Sequence, residues 1–141
     1  MISTALTTSF KKELLEGVHD FRVSGGDTFK IALYNASAVL GAQTTAYTTD
    51  NEVVGPGYTA GGATLTRVDP ATSGTTGYVT FENVSWPAST ITANGALIYN
   101  ANASNASVVV LAFGSDKSVD NATFEIQFPT ANATSAIVRI V

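Results

Sequence analysis

The chain has 141 residues, enough for one ordinary domain that buries a core without covalent staples. It contains no cysteine, which excludes a disulfide framework, a thiolate metal site and a cysteine nucleophile. Charged residues make up only 13% of the chain and the net charge is −4, with no basic cluster beyond Lys11-Lys12, so we expect no nucleic-acid binding. No segment is apolar and long enough to span a bilayer, and the N-terminus lacks the pattern of a secretory leader, so we expect no membrane partner and synthesis in a cytoplasm.

One short helix is predicted near the N-terminus. The Thr-Thr-Ser run at 7–9 offers N-cap oxygens, the run FKKELLE follows, and Gly17 stands where a left-handed C-cap would. The helix and the residues after it present one apolar stripe, formed by Phe10, Leu14, Val18 and Phe21. A helix of about nine residues is too short to be stable alone, so this stripe must dock on another surface.

After residues 25–26, both glycine, the pattern changes to short strands separated by Gly, Asn, Ser and Pro. Strand patterns are found at Thr28–Tyr34, Ala63–Asp69, Gly77–Trp86, Ala96–Asn100, Ser107–Gly114, Ala122–Phe128 and Ala136–Val141. Within Gly77–Trp86 the apolar positions change parity, which predicts a β-bulge near Glu82-Asn83. The run Ser107–Gly114 is continuously apolar, as is typical of a central strand covered on both faces.

Two stretches are predicted to lie outside the strands. Residues 35–62 are weakly patterned and predict a long loop or an extended arm. The sequence SDKSVDN at 115–121 predicts a polar turn. About seven to nine strands at regular spacing predict an all-β chain, a single β-sandwich domain over residues 1–141. We expect a jelly-roll-like topology with one short N-terminal helix and an N-terminal helix or arm over 1–26.

The residues that could carry catalysis do not form a known constellation. His19 is the only histidine, and Asp20 beside it cannot easily orient it, because neighbours in an extended strand point to opposite faces. We therefore expect His19 to make ordinary hydrogen bonds between the helix and the first strand. The sequence indicates a protein that is not an enzyme.

Two pairs of carboxylates could in principle pair for glycosidase chemistry or hold calcium. Asp50 lies near Glu52, and Asp116 near Asp120, but neither pair matches the EF-hand calcium loop. We interpret both as solvated turn residues, with a single loop calcium left open, and expect no cofactor.

Several aromatic and proline residues are candidates for contact with a partner, because aromatic side chains concentrate at the centres of interfaces. They are Pro56, Tyr58 and Trp86. For Trp86 a place in the core is an equal alternative.

Three stretches carry a resemblance to a known family. They are STALTTSFKKELLEGVHDF (Ser3–Phe21), DTFKIALY (Asp27–Tyr34) and GYTAGGATLT (Gly57–Thr66). In these stretches the chain resembles small virion structural proteins of tailed bacteriophages, of the capsid cement or decoration kind.

The resemblance implies a homodimer or homotrimer on the outer surface of a capsid in the virion. It would bridge and stabilise neighbouring copies of the major capsid protein. We expect the contacts to come from the N-terminal segment with its apolar stripe and from the 35–62 arm. The alternative for the helix is that it plugs one open end of the sandwich. The alternative for function is a tail- or fibre-associated module that contacts the host surface or a glycan.

Overall fold

The computed structural model describes all 141 residues and consists mostly of β-strands. Its single helix, α1, spans Thr8–Leu15. The eight strands are β1 (Ala5–Leu6), β2 (Phe29–Tyr34), β3 (Ala63–Thr64), β4 (Ala71–Ser73), β5 (Thr76–Val79), β6 (Val84–Asn100), β7 (Ala106–Ile126) and β8 (Val138–Ile140).

The larger sheet is antiparallel and has the strand order β1-β7-β6-β2-β3. The centre of this sheet is the long hairpin of β6 and β7. The two strands pair from Val84 opposite Ile126 to Asn100 opposite Ala106. On the outer side of β7, β1 pairs only with Val109 and Val110. The rest of that side of β7, toward its C-terminal end, is an edge of the sheet.

The smaller sheet has the order β4-β5-β8. Strands β4 and β5 form a tight hairpin, and β8 at the end of the chain pairs with β5. The strand predicted at Ala136–Val141 is therefore present, over the shorter range Val138–Ile140.

Two hydrophobic clusters lie on the two faces of the larger sheet. The first contains 19 buried residues, and it joins the larger sheet to the smaller one through Val79 and Val138. The second contains eight, and it lies between β2, β6 and β7 on one side and residues 38–40 on the other. Both faces of β2 are buried, although its alternating pattern indicated one buried face.

The helix begins and ends where the sequence indicates. The Thr7 side chain accepts a hydrogen bond from the Phe10 amide as N-cap, and Glu16 is the C-cap. Gly17 follows with φ of 74°, the left-handed conformation that glycine adopts without strain.

Two local predictions are wrong. No bulge lies at Glu82-Asn83; instead β5 ends at Val79 and β6 begins at Val84, so the parity change marks the passage from the smaller sheet to the larger one. The polar stretch 115–121 is not a turn but the middle of β7, where its side chains hydrogen-bond to those of β6. Pairing along a long hairpin outweighs the turn preference of Asp, Ser and Asn.

The 35–62 segment is a long loop with no strand of its own, and it is not a free arm. Its apolar residues Ala38, Leu40 and Val53 are buried against the sheet. The prediction that this segment is an arm whose apolar side chains are free for a partner is wrong for these three residues. They are part of the core instead, because the larger sheet needs cover on its second face.

The all-β sandwich with one short N-terminal helix is confirmed. Its eight antiparallel strands match the number in a jelly roll, but they are divided five and three between the two sheets.

Candidate binding surface

His19 is enclosed between the helix and the larger sheet. Its Nε2 lies 3.3 Å from Glu13 Oε1, and its Nδ1 lies 3.0 Å from the amide nitrogen of Asn100. That nitrogen also donates to Asp27, and the amide oxygen of Asn100 accepts from the backbone N–H of Asn102. Because the orientation of Asn100 is fixed in this way, Nδ1 of His19 accepts and Nε2 donates to Glu13.

The side chain of His19 is fully buried, and both of its ring nitrogens are hydrogen-bonded to other side chains. The expectation that it makes ordinary hydrogen bonds between helix and first strand is confirmed. Asp20 faces Arg22 instead, and the hydrogen bonds from that guanidinium lower the pKa of Asp20 to about 2. The ion pair of Asp20 and Arg22 is partly exposed and lies at the rim of a groove.

Glu52 is the second buried group with catalytic potential. Its carboxylate accepts hydrogen bonds from the Tyr47 hydroxyl at 2.7 Å, the Tyr58 hydroxyl at 2.6 Å and the Gly61 amide at 2.7 Å. All three donors belong to the 35–62 loop. Glu52 therefore holds separate parts of this loop together, and the interpretation of Glu52 as a solvated turn residue is wrong.

Three of the seven predicted contact residues lie in the core. Phe10 is fully buried, and Phe21 and Trp86 are nearly so. Phe21 stacks on Phe29 with ring centroids 4.4 Å apart. These side chains close the sandwich, so of the two predictions for the helix, the plug over one end of the sandwich describes the arrangement. In this fold they offer no surface to a partner.

The other four predicted residues reach the surface but do not form one patch. Leu14 and Val18 lie at the end of α1, and Leu14 lines a groove there. Pro56 and Tyr58 lie on the long loop, where the ring of Tyr58 contacts Trp86 with centroids 6.0 Å apart. Their role in binding stays a prediction.

The groove beside Leu14 is bounded by the end of α1, residues 19–22, residues 70–72 and the strands β5 and β8. Its volume is about 540 Å³ and its lining is mainly apolar. The apolar walls include Leu14, Tyr78, Val138 and Ile140. We call it the α1–β8 groove.

Exposed apolar side chains occur on and next to the segments that line this groove. Nine large hydrophobic residues are exposed in the whole chain; Ile140 lines the groove itself, and four others are direct chain neighbours of lining residues: Leu15, Val18, Val23 and Val141. Leu15 is 90% exposed. Apolar surface gathered in this way is typical of a place where another molecule docks.

Leu15 and Ile140 are not among the contact residues predicted from the sequence. The sequence does contain a sign that Leu15 is exposed, because Leu15 lies beside Leu14 but outside the apolar stripe of the helix. Ile140 carries no such signal, since an apolar residue in the last strand could equally face the core.

Every buried side-chain nitrogen and oxygen has a hydrogen-bond partner. No three His, Asp or Glu side chains converge as ligands for a metal ion. Asp116 and Asp120 lie on β7 and face Asn94 and Thr90 of β6. The helix is too short to cross a bilayer.

No family model matches the sequence, and no curated protein or solved structure is significantly similar to it.

Proposed function

We propose that the protein is a non-catalytic structural component of a tailed-phage virion, a cement protein that binds neighbouring major capsid proteins on the shell. The observation that carries the binding role is the mainly apolar α1–β8 groove, which has the exposed side chain of Ile140 in its wall. The narrower virion role is supported by the resemblance of residues 3–21, 27–34 and 57–66 to small virion proteins.

The surroundings of His19 and Glu52, the two buried groups most suited to catalysis by type, support a structural role for the protein. His19 and Glu52 each hold two parts of the fold together, and each has all its hydrogen-bonding atoms occupied by the chain itself. Catalysis by either would require breaking contacts that stabilise the core. A group that must hold the fold in place is poorly suited to bind and release a proton for a substrate.

The α1–β8 groove suits a protein partner. Its volume of about 540 Å³ is large enough for several apolar side chains, and its rim carries both a carboxylate and a guanidinium, Asp20 and Arg22. An apolar centre with a polar rim is the usual anatomy of a protein interface. A stable contact of this kind buries roughly 1,200–2,000 Å² in total.

The proposal is tested by rebinding. Particles stripped of this protein are mixed with the purified wild-type chain, with Leu15→Lys and with Val39→Lys. Leu15 is exposed and directly follows the groove residue Leu14, whereas Val39 is 84% exposed beside the second hydrophobic cluster, on the other face of the larger sheet, which makes it the matched control. We expect Leu15→Lys to bind at least tenfold more weakly and Val39→Lys to bind as the wild type does.

Lysine is chosen because a cation near a helix C-terminus does not destabilise the helix. Equal binding of all three proteins would contradict the role of the groove. Attachment to the tail instead of the shell would contradict the cement role and leave the tail-associated module as the function.

A further inference from the structure

A second surface lies at the free edge of β7. From Phe113 to Thr123 the outer side of this strand has no backbone partner, since β1 covers only Val109 and Val110. All residues from 113 to 123 are exposed or half-buried.

The usable part of this edge is short and regular. The register with β6 shifts on both sides of this stretch. Between the two shifts Lys117, Ser118 and Val119 pair regularly with β6. On either side of them Asp116 accepts a hydrogen bond from Asn94 and Asp120 accepts one from Thr90. Five residues of free edge match the usual length of one added strand.

A cavity of about 590 Å³ lies along the same edge. Every residue that lines it belongs to β7 or is Gln127, directly after the strand, so no other element of the chain covers it. Its apolar lining includes Phe113, Val119 and Phe124, whose side chains also pack against the core. An added strand would therefore find both unpaired backbone groups and space for apolar side chains.

The charges on this edge indicate what kind of strand fits. Asp116 and Asp120 lie on the outer face, with Ser118 between them, whereas Lys117 and Val119 lie on the face toward the cavity. A second copy of β7 paired about Ser118 would bring Asp116 opposite Asp120 twice, and like charges directly opposite each other destabilise a sheet. The edge is therefore better matched by a basic strand from a different chain.

We propose that Asp116–Asp120 of β7 accepts an extended segment of another protein as an additional strand. That segment has apolar residues at alternate positions that enter the cavity and basic residues opposite Asp116 and Asp120. Backbone hydrogen bonds supply the affinity and the alternate side chains supply the specificity. This surface is separate from the α1–β8 groove and does not depend on the virion role.

The test uses the full chain, labelled with ¹⁵N, and a capped peptide of sequence Gly-Lys-Val-Thr-Val-Lys-Gly. Its central five residues read the same in both directions, so it can pair parallel or antiparallel. Titration is followed by NMR shifts of the backbone amides. We expect the largest shifts at residues 116–120, and about tenfold weaker binding by Asp116→Lys/Asp120→Lys.

Two controls keep the test specific. The variant Glu16→Lys/Asp50→Lys changes the net charge by the same amount away from β7 and should bind as the wild type does. A peptide with Glu in place of both Lys, and one with Pro in place of Thr, should not shift these amides. Shifts that lie elsewhere, or that are equal for the Lys and Glu peptides, would overturn the proposal. Shifts at 116–120 on raising the protein concentration alone would also overturn it, because a second copy would then be the occupant.

Discussion

Glu52 organises a loop that has no regular secondary structure. A buried carboxylate is costly unless its oxygens are hydrogen-bonded, and here two tyrosine hydroxyls and one amide meet that need. The Tyr58 hydroxyl also accepts from the Leu33 amide of β2. This network joins the loop to the middle of the larger sheet.

Replacing Glu52 by Gln should therefore destabilise the protein by about 2 kcal/mol, because Gln has the same shape but loses the charge-assisted hydrogen bonds. Urea unfolding followed by the fluorescence of Trp86, the only tryptophan, measures this loss. The control is Asp50→Asn, an exposed change two residues away, which should stay within about 0.5 kcal/mol of the wild type. Equal stability of both variants would mean that Glu52 does not fix the loop.

The tyrosines around Glu52 make the fold sensitive to alkaline pH. Burial, and next the Glu52 carboxylate, raise the pKa of four of the five tyrosines: Tyr34, Tyr47, Tyr58 and Tyr99. A phenol with a raised pKa keeps its proton in the folded chain after the unfolded chain has lost it. Above pH about 10 the folded chain binds more protons, so this contribution to stability is complete below that pH and is lost as the pH rises.

We expect phenolate absorbance at 295 nm to rise in one cooperative step together with unfolding, well above pH 10. Titration of these four tyrosines near pH 10 in a chain that stays folded would contradict the buried network.

Gly62, before β3, shows how closely the loop approaches the sheet. Its φ is 79°, and an added Cβ would collide with the carbonyl oxygen of Ile31. Gly74 has φ of 59° but open space around it. Replacing Gly74 by alanine would therefore introduce backbone strain alone, whereas replacing Gly62 would introduce strain and a steric collision.

Gly74→Ala should cost about 1 kcal/mol, the strain of a left-handed alanine. Gly62→Ala should cost at least about 2 kcal/mol more, because backbone atoms must move. Thermal unfolding of both variants measures the difference. If they lose the same stability, the loop does not approach β2 as closely as described.

At the scale of elements, α1 belongs to the core although Phe10 is its only buried residue. Phe10 of α1 and Phe21 after it are buried between the two sheets. Removing residues 1–21 would expose the aromatic cluster around Phe29 and Phe81. We therefore expect this truncated chain to unfold.

Circular dichroism and the dispersion of amide NMR signals test the truncation. A folded truncated chain would contradict the assignment of the helix to the core. The variant Leu15→Lys is the control, because it changes the same helix at an exposed position and should leave the fold intact.

The sequence predicts elements whose signals are local. The N-cap and C-cap residues define α1, and alternation in β2 and apolar continuity in Ser107–Gly114 define strands. It fails where pairing over a distance decides, as at 115–121, where pairing with β6 overrides turn preferences. The parity change before β6 was visible, but a change of sheet and a bulge produce the same pattern.

The candidate surfaces were predictable only in part. The stripe of α1 indicates that the helix docks, and Leu14 does line the groove. The sequence cannot tell which apolar residues the sheets will cover. It therefore predicts partner contacts for Phe10 and Phe21 and leaves Trp86 evenly between contact and core, whereas all three lie in the core. Glu52 meets its tyrosines through folding of the loop, which no spacing along the chain encodes.

At the scale of the whole molecule, the two candidate surfaces use different parts of the fold. The α1–β8 groove lies where the smaller sheet meets the helix. The free edge of β7 is the outer side of the long β6–β7 hairpin. A protein that joins neighbouring capsid proteins needs at least two contacts that can be occupied together. Repeated around a shell, contacts of modest affinity would add up through avidity.

A cryo-electron microscopy map of an intact particle that contains this chain tests the proposed cement role most directly. We expect density for the protein on the outer shell at the junctions of capsid proteins, with the α1–β8 groove against one of them. Density on the tail, or on the shell with the groove facing solvent, would contradict it.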